Sequence, residues 1–182
     1  MRISDILYFS PRYKFSQIDP NNKELLIEAF RDRVGGFYLK PARILNEKEC
    51  AFGAGVLCAT AIDFLARIAI NSEKVGERIE KWLTENIQEF DETLAHRFYK
   101  EFRNGLVHEG RIKNCGQFSY DFEEMIHLEN GIMIVNPKLL LEKISDSFGS
   151  YTTKILADDS AFQLFRDRLE ADFKEDIRRA QG

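Results

Sequence analysis

Between residues 50 and 70 the chain is apolar on nearly every side, and the only charges in that stretch are Asp63 and Arg67, four residues apart. A helix that is apolar all round has no face to offer water, so other helices must wrap it; the stretch predicts the central helix of a bundle. Gly53, Ala54, Gly55, Ala59 and Ala61 would let those neighbours approach closely. Asn46 is the expected N-cap, Glu49 three residues on completes a capping box, and Asn71-Ser72 marks the end. The uninterrupted apolar run, 51–62, falls well short of the ~20 residues a bilayer span needs, so no membrane is expected as a partner.

The flanking sequence supplies the wrapping. Asp19 as N-cap and Pro20 in the first turn predict a helix carrying Leu25, Leu26, Ala29, Phe30 and Val34. Gly35-Gly36 weakens it and Pro41 should kink or end it, which predicts two short helices. A helix over 73–88 places Ile79, Trp82, Leu83 and Ile87 on one stripe; Asp91 caps another, 92 to about 106, with Leu94, Phe98 and Phe102 in line. After Gly116 the period shortens to two. Phe118, Tyr120 and Phe122 alternate with polar residues, and the apolar runs 125–128 and 132–135 flank Asn130-Gly131. That dipeptide is the strongest short hairpin signal, because a type I′ turn needs positive φ twice. Asn136-Pro137 restarts helix through Leu140, Ile144, Phe148 and Tyr151. Asp158 or Asp159 caps a last one bearing Phe162, Phe165, Leu169 and Phe173, whose charged tail from Lys174 is expected to fray. The expected fold is mainly α: one helical bundle with a small β-hairpin inserted between its fourth and fifth helices. It is read as a single domain over 1–182, with its core at about 20–155 and a C-terminal helix at 156–182.

Composition narrows the function classes. At 182 residues, with 31% charged and 44% hydrophobic residues, the chain fits one domain and is too apolar for disorder. Twenty-six basic residues against 30 acidic ones give a net charge of −4, which argues against a protein coated in nucleic acid yet leaves room for a local basic pocket. The opening Met1-Arg2-Ile3-Ser4-Asp5 meets an acid before any apolar signal core. The three cysteines, Cys50, Cys58 and Cys115, form no CxxC pair and read as reduced thiols of a cytoplasmic protein. Gly53-Ala54-Gly55 lacks the third glycine of a dinucleotide loop and follows no predicted strand. His108-Glu109 opens like HExxH but meets Ile112 where the second histidine should stand. With histidines scattered at 96, 108 and 127, neither a metal site nor a cofactor is expected.

One stretch stands apart. Over 98–111 the chain reads Phe-Tyr-Lys-Glu-Phe-Arg-Asn-Gly-Leu-Val-His-Glu-Gly-Arg, with Arg103 followed by a polar residue, Asn104, and then by His108 near the close of a predicted helix. It resembles the Arg-x4-His signature of HEPN domains, in which a polar residue commonly follows the arginine. The layout is similar too: a long apolar second helix bearing an acid, Asp63, with the motif on a later helix, a likeness that covers about 20–155. The resemblance implies a helical homodimer acting as a metal-independent endoribonuclease, of the kind found in phage defence, toxin–antitoxin and RNA-processing systems. RNA would be the substrate, with an antitoxin or regulatory protein as a further partner. It also leaves open a catalytically inactive module that binds RNA or nucleotide or mediates protein assembly. One toxin branch of the family carries a tyrosine two residues after the histidine; here Gly110 stands there, so that branch's chemistry is not carried over.

Metal-free RNA cleavage needs a base, an acid and positive charge on the developing phosphorane. Histidine, with a pKa of ~6.5, exchanges protons near neutrality, which assigns proton transfer to His108. Arginine stays charged and binds two phosphate oxygens at once, which assigns phosphate binding to Arg103, while Asn104 would orient the phosphate or the histidine. From 96 to 113 there are five Lys and Arg against two acids, a local excess of three positive charges, and Lys100, Arg111 and Lys113 are the expected RNA contacts. Two structural readings stand beside these. Arg103 could pair with Asp63 inside the bundle, and His108 could simply face the negative end of its helix dipole. Five residues along an ideal helix leave Arg103 and His108 about 140° apart. They converge only if Gly105 loosens the last turn, if Arg103 reaches round, or if a second protomer supplies one side.

Overall fold

Asn22, rather than Asp19, starts the first helix. Its side chain accepts the Leu25 N–H at 3.0 Å, and α1 runs Lys23–Val34. Asp19 instead accepts the Asn21 N–H at 2.9 Å, a local turn bond that delays helix entry. The computed structural model describes residues 2–3 and 6–181; Met1, Ser4, Asp5 and Gly182, on which the N-terminal and tail expectations partly rest, lie outside them. The chain is mainly α and divides into two compact units, 1–37 with 148–182, and 38–147.

The first unit holds α1 and α8 (Asp159–Gln181), a two-stranded antiparallel ribbon of β1 (Arg2–Ile3) and β2 (Ile6–Leu7), and the last turns of α7 (Pro137–Ala157). Aromatic rings fill it: Phe30 meets Phe165 with centroids 4.9 Å apart and Phe148 at 5.5 Å, and Phe9 meets Phe173 edge-on at 5.4 Å. Burial pushes the Tyr151 phenol up to about 12. Of the two candidate caps for the last helix, Asp158 does the capping, accepting the Ser160 and Ala161 N–H groups at 2.8 and 3.1 Å. Asp159 pairs with Lys23 at 2.8 Å. The charged tail expected to fray is helical to Gln181.

The helical path does not break at Gly35-Gly36. A π turn, Gly35–Leu39, carries it into α2 (Lys40–Glu47), with Pro41 in the first turn where a missing N–H is tolerated. The capping box expected at Asn46 and Glu49 does not form. Asn46 lies inside α2, and Glu49, at φ +54°, ends that helix: the Cys50 N–H reaches back to the Leu45 carbonyl at 2.9 Å, a Schellman closure. α3 (Ala51–Ala69) then begins on Cys50 without a side-chain cap.

α3 occupies the middle of the second unit, burying Ala54, Gly55, Cys58, Ala59, Ala61, Ile62, Leu65, Ala66 and Ile68. By length and composition it could cross a membrane, unlike the shorter run read from the sequence, because Asp63 and Arg67 are the only charges within 19 residues. Half of its apolar window is buried inside the protein, as a core helix requires. α4 (Val75–Asn86) packs Ile79, Trp82 and Leu83 inward. The hairpin pairs β4 (Ile126–Glu129) with β5 (Ile132–Val135) antiparallel around Asn130 and Gly131, both at positive φ. β3 (Gln117–Phe118) adds on the other edge of β5, parallel to it. The alternation through Tyr120 and Phe122 does not continue as strand, because the Ser119 hydroxyl bonds Asp121 and turns the chain. Phe118 lies against Gly55 on α3, where any Cβ would collide with the ring.

Candidate active site

Asp91 caps the motif helix as expected, accepting the Leu94 N–H at 2.7 Å. The helix is not uniform, however. α5 (Glu92–Arg97) passes into a π turn, Phe98–Arg103, and then into α6 (Asn104–Glu109), so the helical path ends three residues beyond the expected 106. A π turn widens the helix and re-aims the side chains that follow it. Phe98 and Phe102 are fully buried and stacked, with centroids 5.2 Å apart and planes 7° from parallel. Glu101 is buried as well. Arg97 clamps it with Nε and Nη2 donating at 2.9 and 3.1 Å, and the same Nη2 donates to the Gly131 carbonyl at the hairpin tip, at 2.8 Å. Hydrogen bonding to Glu101 raises the Arg97 pKa above its ordinary value.

Arg103 follows this anchored turn and reaches α3. Its Nε and Nη2 donate to one oxygen of Asp63 at 2.9 and 2.6 Å, and its Nη1 donates to the Asn104 side-chain oxygen at 3.1 Å. The two charged side chains are mostly shielded, 16% exposed for Arg103 and 25% for Asp63. With Val56, Ala59, Thr60, Leu106 and Val107 they line a hollow of about 120 Å³. Val107 is 60% exposed at its rim.

His108 does not line that hollow. It stands exposed on α6, one turn beyond Asn104, and bonds to none of the described residues. Gly105 does not loosen the turn: α6 continues to Glu109, and Gly105 is buried beneath the following loop, where a Cβ would collide with the Arg111 carbonyl oxygen. Arg103 reaches towards Asp63 and Asn104. Within one chain, then, Arg103, Asn104 and Asp63 come together, and His108 stands outside their hollow. Gly110, at φ +66°, takes the left-handed conformation that closes α6, which accounts for a glycine at this position.

The basic residues divide in two. Lys100 is exposed, with its ammonium 5.7 Å from the Tyr99 ring centroid. Arg111 and Lys113 converge on a single carboxylate, Glu109, at 2.7 and 2.6 Å. The Lys113 hydrogen bond, joined by the charge of Arg111, holds the Glu109 carboxyl below the usual range. Sequence spacing pointed to the two cations but missed the acid between them; alternating charge at 109, 111 and 113 was the available signal. The Arg97–Glu101 clamp was missed as well, because nothing in its spacing marks Glu101 as buried.

The three cysteines are free thiols. Burial pushes Cys58 up to about 12, and Cys50 and Cys115 are exposed. Among the described residues no three His, Cys, Asp or Glu side chains gather as a metal site would require. A larger hollow of about 560 Å³, lined by Arg43, Glu47, Lys138, Glu142, Ser145 and Asp146 among others, includes no motif residue. No protein-family model, curated protein or solved structure matches this chain.

Proposed function

We propose that this chain is a metal-independent endoribonuclease of the HEPN type, working as a homodimer in the cytoplasm, in phage defence, a toxin–antitoxin pair or a stress response. The observation that carries the reading is the Arg103 fork. It is fixed on one edge by Asp63, on the other by Asn104, and opens on a hollow one helical turn from an exposed, unbonded histidine. In this reading Arg103 binds the scissile phosphate and stabilises its added charge, Asn104 orients it, and His108 moves the proton. A shielded arginine already held in place needs no reorganisation as charge develops. Since His108 stands outside the Arg103 hollow, the partner chain supplies the second half of each cleft. The apolar rim that a partner would cover includes Val107, 60% exposed.

The same separation favours a second reading, a catalytically inactive module of the same type that binds RNA or nucleotide or mediates assembly, with Arg103–Asp63 as a structural pair. One assay separates the two. Purified protein is incubated with RNA in EDTA alongside Arg103→Ala and His108→Ala, with folding and mass in solution measured for each. Cleavage by wild type, lowered about 10²–10³-fold by each substitution in folded protein, supports the enzyme. Equal residual cleavage in all three marks a contaminant and ends the enzymatic reading; binding without turnover favours the second.

A further inference from the structure

The contact between Glu109, Arg111 and Lys113 has the form of an occupied anion site. One carboxylate oxygen takes Lys113 Nζ at 2.6 Å and the other takes Arg111 Nη2 at 2.7 Å. A phosphodiester presents two unesterified oxygens with similar spacing, and an arginine fork binds phosphate and carboxylate by the same geometry. The cations are also held at fixed points of the backbone. The Lys113 N–H donates to the Glu101 carbonyl at 2.9 Å, and the Arg111 carbonyl oxygen packs over Gly105 so closely that no other residue fits there. Glu101 is itself clamped by Arg97. Glu109 is exposed at the last residue of α6, immediately before the left-handed Gly110, and among the described residues only these two cations hold its carboxylate. The loop backbone that carries both cations is anchored, while their charged ends and the Glu109 carboxylate all reach solvent.

We propose that Arg111 and Lys113 form a phosphate site for single-stranded RNA, and that Glu109 occupies this site in the free protein as an intramolecular competitor that the RNA backbone displaces. The identity of the ligand rests on the ribonuclease reading; the competition does not. Single-stranded RNA fits better than a duplex, because the site offers two cations beside one histidine in a chain that is acidic overall. A carboxylate that must be displaced penalises weak, single-phosphate ligands and favours a chain held at several points.

The test is a binding measurement on the full chain carrying His108→Ala, in EDTA, so that the RNA stays intact whether or not wild type cleaves it. A short fluorescent single-stranded RNA is titrated with this protein, with the same protein bearing Glu109→Gln, and with one bearing Glu73→Gln, a control for one lost negative charge at an exposed acid elsewhere in the unit. Glu109→Gln is expected to tighten binding about fivefold to tenfold at low salt. It should also steepen the slope of log affinity against log salt by about 0.7 for each phosphate newly neutralised. Adding Arg111→Ala and Lys113→Ala to Glu109→Gln is expected to abolish the gain. Inorganic phosphate at millimolar concentration should displace the RNA from none of these proteins; if it competes as well as the RNA, the site takes a free anion and the RNA assignment falls. Binding by Glu109→Gln no tighter than by Glu73→Gln overturns the competition, as does a gain that survives loss of both cations. Each of these results is read without reference to cleavage, so a failed ribonuclease assay and a failed competitor are distinguishable.

Discussion

The two ends of the motif segment use the same residue types to opposite effect. On the inner side, Glu101 and Asp63 are each clamped by an arginine through two donors, beside stacked phenylalanines. At the outer end, His108 has no partner among the described residues, and Glu109 meets Arg111 and Lys113 in the open. An ion pair shielded from water fixes structure, because losing one partner strands the other charge; an exposed pair contributes little and exchanges readily. The contrast separates the residues that hold the site from those free to meet a ligand.

Four substitutions sharpen or break that contrast. Arg97→Ala leaves the Glu101 carboxylate buried without its clamp and frees the hairpin-tip carbonyl, so urea unfolding is expected to show a loss of about 3 kcal/mol. A loss no larger than that of an average surface substitution would mean the inner side is not the anchor. Gly105→Ala drives a methyl into the Arg111 carbonyl, and should cost about 1–3 kcal/mol while raising protease cleavage in the 110–116 loop. Unchanged stability there would show that the loop does not rest on α6. Asp63→Asn removes the charge facing Arg103 and should cost about 1–2 kcal/mol, whereas His108→Ala should leave the unfolding midpoint within error. If both variants melt alike, the division between a structural end and a free end is wrong.

Much of this arrangement was legible early. The apolar stretch around Ala59 could only be a wrapped helix, Asn130-Gly131 could only turn a hairpin, and an Arg103–Asp63 pair was one of two readings the charges allowed. The capping box at Asn46 failed because Tyr120 and the Pro137 carbonyl, distant in sequence, claim that side chain. Neither π turn was legible: Gly35-Gly36 signals weakness without its outcome, and Phe98–Arg103 carries no marker at all.

Local chemistry by itself determined which segments are helical, where the helices capped by Asp91 and Asp158 and the one opened by Pro137 start, and that Arg103, Asn104 and His108 lie near the end of one of them. Only the tertiary structure decided which of those side chains is shielded and which is free. Shielding depends on the neighbours a residue meets across the fold: α3 delivers Asp63 to Arg103, the hairpin tip delivers Gly131 to Arg97, and none of the described residues bonds His108. Those meetings are set by packing between segments tens of residues apart, and no spacing along the chain records them.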